Sequence, residues 1–155
     1  MRVTQWGEFG IHFSVHIAEQ ELLGRTPIGA AEIAKAQGVD LDYAHQILQR
    51  LRKGDVLKSV RGAHGGYVLS RPSENISLRQ ILLPSEGDTF EVMCEVKPLN
   101  ASRCAPGSDC SLRGLWHELK ENVDSFLENR SLRSLLKTHG EVPGEKLIAI
   151  SSNIK

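Results

Sequence analysis

The chain has 155 residues, a hydrophobic content of 40% and equal numbers of basic and acidic side chains, nineteen of each. That is enough apolar material for one small domain with an appendage, and the neutral balance leaves overall charge silent about a nucleic-acid partner. No run reaches the roughly 18 apolar residues of a membrane span. Glu8, His12, His16 and Glu19 interrupt any leader-like apolar region, so a cytoplasmic protein with no membrane partner is expected.

The first helix is expected to start at Thr4, a suitable N-cap, and to run to about Glu21, with Phe9, Ile11, Phe13, Val15, Ile17 and Ala18 as apolar positions. Glu8 and His12 lie four apart and share one helical face; they form a surface ion pair or two ligands for one metal. Thr26-Pro27 predicts the N-cap and first position of a second helix over 27–37, stopped by Gly38. Asp40 is the expected cap of a third helix to about Lys53, in which Leu41, Ala44, Ile47, Leu48 and Leu51 make one buried stripe. Its other face carries Asp42, Tyr43, His45, Gln46, Gln49 and Arg50, groups suited to the donor and acceptor pattern of a major groove. Two short helices around a Gly-containing turn make a helix-turn-helix.

Residues 56–60 and 67–70 alternate as strands around Arg61-Gly62-Ala63-His64-Gly65-Gly66, a hairpin with a glycine-rich tip. Between Arg50 and Arg71 there are six basic residues against the single acid Asp55, the footprint expected of phosphate contact. A helix-turn-helix followed by a basic hairpin is a winged helix. The fold class is therefore mainly α with a small β-hairpin. Candidate DNA contacts are Thr26, Tyr43, Gln46 and Arg50 on the helices and Arg61, His64, Gly65 and Gly66 on the wing, where Arg61 suits a narrow minor groove.

All three cysteines, Cys94, Cys104 and Cys110, lie in one segment with spacing Cys-x9-Cys-x5-Cys. An odd number cannot pair off internally, and the gaps match neither zinc knuckles nor ferredoxin runs. Pro98, Pro106 and Gly107 with Ser102, Ser108 and Asp109 make the segment turn-rich, so several thiols could converge on one point. Inert small hydrophobes, a zinc site and an iron–sulfur site all remain open from spacing alone. A thiol enzyme needs a cysteine–base pair in a pocket, and no local signature shows one.

After the cysteines, Leu112, Leu115, Trp116, Leu119, Val123, Phe126 and Leu127 form a long apolar stripe on a helix from about Ser111 to Leu127. Self-pairing in a two-fold homodimer covers such a stripe and presents two recognition helices to a pseudo-palindromic double-stranded operator. The expected organisation is a winged helix-turn-helix over 1–90, a cluster-binding loop over 91–110, a dimerisation helix over 111–139 and a tail over 140–155.

The run from Tyr43 to Leu78, and above all the R-G-x-x-G-G-Y-x-L-x-R wing of Arg61 to Arg71, resembles the Rrf-two family of bacterial winged-helix transcription regulators. The opening Met1 to Thr4, the helix near 78–83 and Glu86-Gly87 fit as well, and the resemblance extends to about residue 137. It implies a DNA-binding regulator, repression being the commoner outcome, with an iron–sulfur cluster held at the Cys94–Cys110 segment. The first cysteine gap is four residues longer than the usual Cys-x5-Cys-x5-Cys form, while Cys104, Cys110 and the following Leu112 to Trp116 keep the familiar spacing. IscR-like members carry a histidine ligand where this chain has Arg113, which cannot ligate. NsrR-like members use a carboxylate at the position of Glu8, and RsrR-like members a Glu and a His at the positions of Glu8 and His12, ligating the partner chain's cluster. The resemblance thus implies Cys94 and Cys110 as the firmest ligands, with Cys104, Glu8 and His12 beside them and His117 a weaker candidate. It favours a redox-responsive 2Fe-2S cluster of the RsrR type. An NsrR-like nitric oxide sensor with a 4Fe-4S cluster and a cluster-free thiol sensor are the alternatives. Replacing thiolate by imidazole raises a cluster's potential and makes ligation sensitive to protons.

Overall fold

The computed structural model describes residues 3–88, 90, 97, 100, 104–105, 107 and 110–136. Cys94, most of its segment and the tail from 137 onward lie outside the described residues. Helix α1 spans Gln5–Leu22, α2 Ala30–Gln37 and α3 Leu41–Lys53; strands β1 (Leu57–Val60) and β2 (Gly66–Leu69) follow, then α4 (Leu78–Glu86) and α5 (Ser111–Glu128). The strands form an antiparallel hairpin in which Leu57 pairs with Leu69 and Val60 with Gly66. One core joins Phe13 and Ile17 of α1, Ile33 of α2, Ile47, Leu48 and Leu51 of α3, and Ile81 of α4, with Val56 and Leu57 at the root of the hairpin.

Local chemistry explains most of these elements. Asp40 caps α3, its Oδ1 accepting from the Tyr43 amide at 2.8 Å, and the amphipathic stripe buries Ala44, Ile47, Leu48 and Leu51. Ser77 and Gln80 form a reciprocal capping box at the start of α4, satisfying two amides that the first turn leaves open. Gly7 and Gly10 are costly inside a helix, and here they are where α4 docks. A Cβ on Gly7 would lie 2.6 Å from the Glu86 carboxylate, and one on Gly10 would strike the Ser85 hydroxyl.

Three expectations are corrected. Thr4 precedes α1 as expected, but its side chain does not cap that helix; its hydroxyl and its amide both donate to Glu86 Oε2 at 2.6 Å. A carboxylate from the end of α4 therefore sits at the positive end of α1. The second helix does not begin at Thr26-Pro27: Gly29 is its N-cap and Ala30 its first residue, and the Thr26–Pro27 peptide is cis. Ile28 is instead extended and bridges Tyr67 through two backbone hydrogen bonds, 3.1 and 2.8 Å. Burying the Ile28 side chain completely while satisfying its backbone against β2 outweighs the local helix-start signal. Finally, within the described part of segment 111–139 the α-helix ends at Glu128, a short 3-10 turn follows at Leu132–Leu135, and the chain turns back. The Leu78 amide donates to Arg130 O and the Leu132 amide to Ile76 O, which carries Leu132 and Leu136 into the winged-helix core.

Candidate nucleic-acid and metal site

The recognition helix α3 presents its outward residues in two groups. Asp42, His45, Gln46 and Gln49 are exposed, and the hydrogen bonds and ring contacts of α3 lie elsewhere. Tyr43 and Arg50 instead lie on the flank toward α1. The Tyr43 ring meets Trp6 at 4.8 Å and Phe9 at 5.7 Å between centroids. The Arg50 guanidinium stacks 4.1 Å above the Trp6 ring and donates to Ser85 O at 2.7 Å. Gln46 thus has the outward placement expected of a base contact, while Tyr43 packs α3 against α1 and Arg50 ties it to both α1 and α4. Exposed His45 and Gln49 stood on the polar face in the sequence, but periodicity alone could not separate the outward third of a helix from its flank.

At the wing, Arg61 and His64 are exposed and project from the tip. Gly65 and Gly66 have an internal reason to be glycine: a Cβ at Gly65 would meet the carbonyl of Val60, and one at Gly66 the backbone of Ile28. Gly66 lies in β2, not in the tip. Thr26 is half-buried beside the cis peptide that leads to Ile28. The base of the wing is fixed by Arg71, whose guanidinium donates to Asp55 O, Ser70 Oγ, Asn75 O and Gln80 Oε1 at 2.8–3.1 Å.

The metal candidates fall on two surfaces. Glu8 and His12 are both exposed, one turn apart on α1, with the His12 ring 6.4 Å from that of Phe9. Cys104 and Cys110 are half-exposed free thiols, Cys110 standing immediately before α5 as its N-cap. His117 is exposed one turn and a half along that helix. Among the described residues, no three His, Cys, Asp or Glu side chains gather at one point. Arg113 donates through Nη2 to the carbonyl oxygens of Cys104 (2.9 Å) and Ala105 (3.1 Å).

Helix α5 has two distinct faces. Leu112, Leu115, Leu119 and Phe126 are 40–56% exposed, whereas Lys120 donates to Asp88 Oδ2 at 2.6 Å and to Phe90 O at 3.3 Å. Lys120 also pairs with Asp124, which in turn meets Arg79 of α4. The hydrogen bond from Lys120 holds the Asp88 carboxyl below its ordinary 3.8, and the same bond raises the Lys120 ammonium above its ordinary 10.5.

A helix-turn-helix with a two-stranded, basic-tipped hairpin packed on its recognition helix defines a winged-helix DNA-binding regulator. The chain belongs to the family described as Rrf2, iron-dependent transcriptional regulator, which it matches over residues 3–138. It is 32% identical over 137 residues to the HTH-type transcriptional regulator IscR of Xenorhabdus nematophila, covering 88% of this chain and 80% of that one. Among solved structures it is similar to Staphylococcus aureus CymR in its oxidized form, with 28% identity, a TM-score of 0.65 and coverage of 89% and 98%. The fold also matches that of T. potens IscR, with a TM-score of 0.67 at 24% identity over 93% and 94% of the two chains. The family and the Xenorhabdus relative are transcriptional regulators, and the chain is one rather than an enzyme. Among the described residues no helix is long and apolar enough to cross a membrane.

Proposed function

We propose that the protein is a homodimeric repressor whose affinity for a pseudo-palindromic operator is set by an iron–sulfur cluster at the subunit interface. Cys94 and Cys110 of one chain with Glu8 and His12 of its partner form the four-ligand donor set, in the manner of the RsrR type, and Cys104 is one thiol more than that set uses. The observation that carries this reading is the placement of Glu8 and His12, a carboxylate and an imidazole one turn apart and both open to solvent. The donors fit such a cluster in kind: two of the thiols are free and half-exposed, and neither surface alone completes a set. The family description, iron-dependent, supports the metal. When bound, a cluster of mixed ligation supplies a redox centre less negative than an all-thiolate one and at a higher potential.

The protein's own residues do the rest. Gln46 faces the major groove with His45 and Gln49 beside it, Arg61 and His64 reach the flanking minor groove or phosphates, and Arg71 holds the wing at its angle. Because the donors come from both chains, a change at the cluster biases the separation of the two recognition helices, a coupling between two sites. The test is protein purified without oxygen, assayed for iron and sulfide and titrated with operator DNA. About two irons and two sulfides per subunit, with operator affinity differing at least about tenfold between cluster-bound and cluster-free protein, is the expected result. Equal affinity in both forms would sink the mechanism, and about four of each would move it to an NsrR-like sensor using Glu8 alone.

A second reading has its own observation. The oxidized form of a 28% identical CymR shares this fold, and Cys104 and Cys110 are free and reachable. Thiol oxidation without any metal would then set the affinity. Colourless, iron-free protein whose DNA binding changes with peroxide would establish it.

A further inference from the structure

Arg113 occupies the position at which the IscR pattern places a metal-binding histidine, and the structure gives it a different task. Its guanidinium donates to two successive carbonyls of the cysteine segment, Cys104 at 2.9 Å and Ala105 at 3.1 Å. The Cys104 amide in turn donates to Asn100 O at 2.9 Å, so the backbone around this thiol is engaged on both sides. Seven residues along α5, on the same helical face, Lys120 grips the chain just ahead of the segment. It donates to the Asp88 carboxylate and the Phe90 carbonyl, and the Phe90 ring beside them is buried. Asp124, one turn further on that face, ties Lys120 and Arg79 together.

We infer that Arg113 and Lys120 form a two-point clamp that holds the backbone at Cys104 and Ala105, and the chain at Asp88 and Phe90 that leads toward the cysteines, against α5 before any metal or oxidant arrives. The clamp deepens the reading of the cysteine segment as the sensor and rests on it. Charge-assisted hydrogen bonds are stronger than neutral ones, and a guanidinium fork offers two carbonyls fixed directions that an ammonium cannot match. A neutral histidine at position 113 has one N–H and could serve one carbonyl at most, whereas Arg113 holds two at once. The backbone at Cys104 is thus held in place, and a ligand arriving at its thiol does not have to order it, which is the advantage of preorganisation. Arg113 and Lys120 are positioning residues: neither touches the reacting sulfur.

The clamp is tested on full-length, reduced, metal-free protein, so its outcome does not depend on which cofactor the protein carries. Wild type, Arg113→Ala, Arg113→Lys and Lys120→Met are compared by site-resolved alkylation of Cys104 with iodoacetamide and by backbone hydrogen exchange. The Arg113→Ala chain is expected to alkylate at Cys104 about tenfold faster, with exchange accelerated at residues 100–105 and unchanged in α3. Arg113→Lys recovers only part of the protection. Lys120→Met loosens residues 88–90 while α3 again stays protected. Wild-type rates at Cys104 in Arg113→Ala would overturn the inference. So would acceleration spread in proportion over α3 and the segment, since that is the signature of general destabilisation. Failure of the cluster reading shows separately, as protein purified without oxygen that holds no iron or sulfide, and leaves the clamp standing.

Discussion

Arg50 and Gln46 sit one turn apart on α3, yet the structure gives them separate duties. Arg50 is stacked on Trp6 and bonded to Ser85 O, so it links the recognition helix to both α1 and α4. Removing it costs a cation–π contact and a charge-assisted hydrogen bond. Arg50→Ala is expected to lower stability by about 1–2 kcal/mol, read as a fall in Tm. Gln46 faces outward and is exposed, so Gln46→Ala should leave Tm within about 0.5 kcal/mol of wild type and weaken operator binding alone. A calorimetric scan and a DNA titration of both variants check the division; a destabilised Gln46→Ala would contradict it. The sequence singles out Tyr43, Gln46 and Arg50 together as base contacts on α3 and does not separate them. The distinction needs Trp6, a residue 44 positions away whose ring no periodicity places beside Arg50.

Among the elements, those with local signals were legible and those held by distant partners were not. The Asp40 cap, the α3 stripe, the hairpin and the Ser77–Gln80 box are written within a few residues of themselves. Ile28 was misassigned because its partner is Tyr67, and the partner of Thr4 is Glu86, 82 residues on. The same holds for the latch between α5 and the end of α4, which has a pH dependence of its own. The folded Asp88 carboxyl is lowered, so its contribution is complete above its ordinary 3.8 and is lost as pH falls through the lowered value. The folded Lys120 ammonium is raised, so its contribution is complete below its ordinary 10.5 and is lost as pH rises through the raised value. The Tm difference between wild type and Lys120→Met should therefore stay constant across the neutral range and shrink toward both ends of a scan from about pH 3 to about pH 11. A difference that vanished near neutrality would exclude the ion pair as its source.

For the whole molecule, the exposed apolar side chains of α5 are the surface on which the proposed dimer rests. Leu112, Leu115, Leu119 and Phe126 make one uncovered stripe, while the opposite face is occupied by Arg113, Lys120 and Asp124. Self-association through that stripe is expected to fail in Leu115→Lys, which places two like charges across a two-fold axis. Light scattering should then give the mass of one chain instead of two, and operator affinity should fall because two half-sites are no longer held together. A Leu115→Lys protein of unchanged mass would locate the interface elsewhere. The sequence displayed this stripe in full, because helical periodicity is local. It could not show that α5 is fastened at its far end, where Arg130 and Leu132 bond to the backbone on either side of Ser77.

That fastening ties the elements on both sides of the cysteine segment into one packed body. Helix α4 and the end of α5 share it, since Leu132 fills the core that Ile81 and Phe13 line. A single peptide bond cut between Phe90 and Cys110 would therefore yield two fragments that stay together, the smaller one supplying a core residue to the larger. Insertions of extra residues there are absorbed as a wider loop whose ends do not move, at a closure cost that grows only with the logarithm of its length.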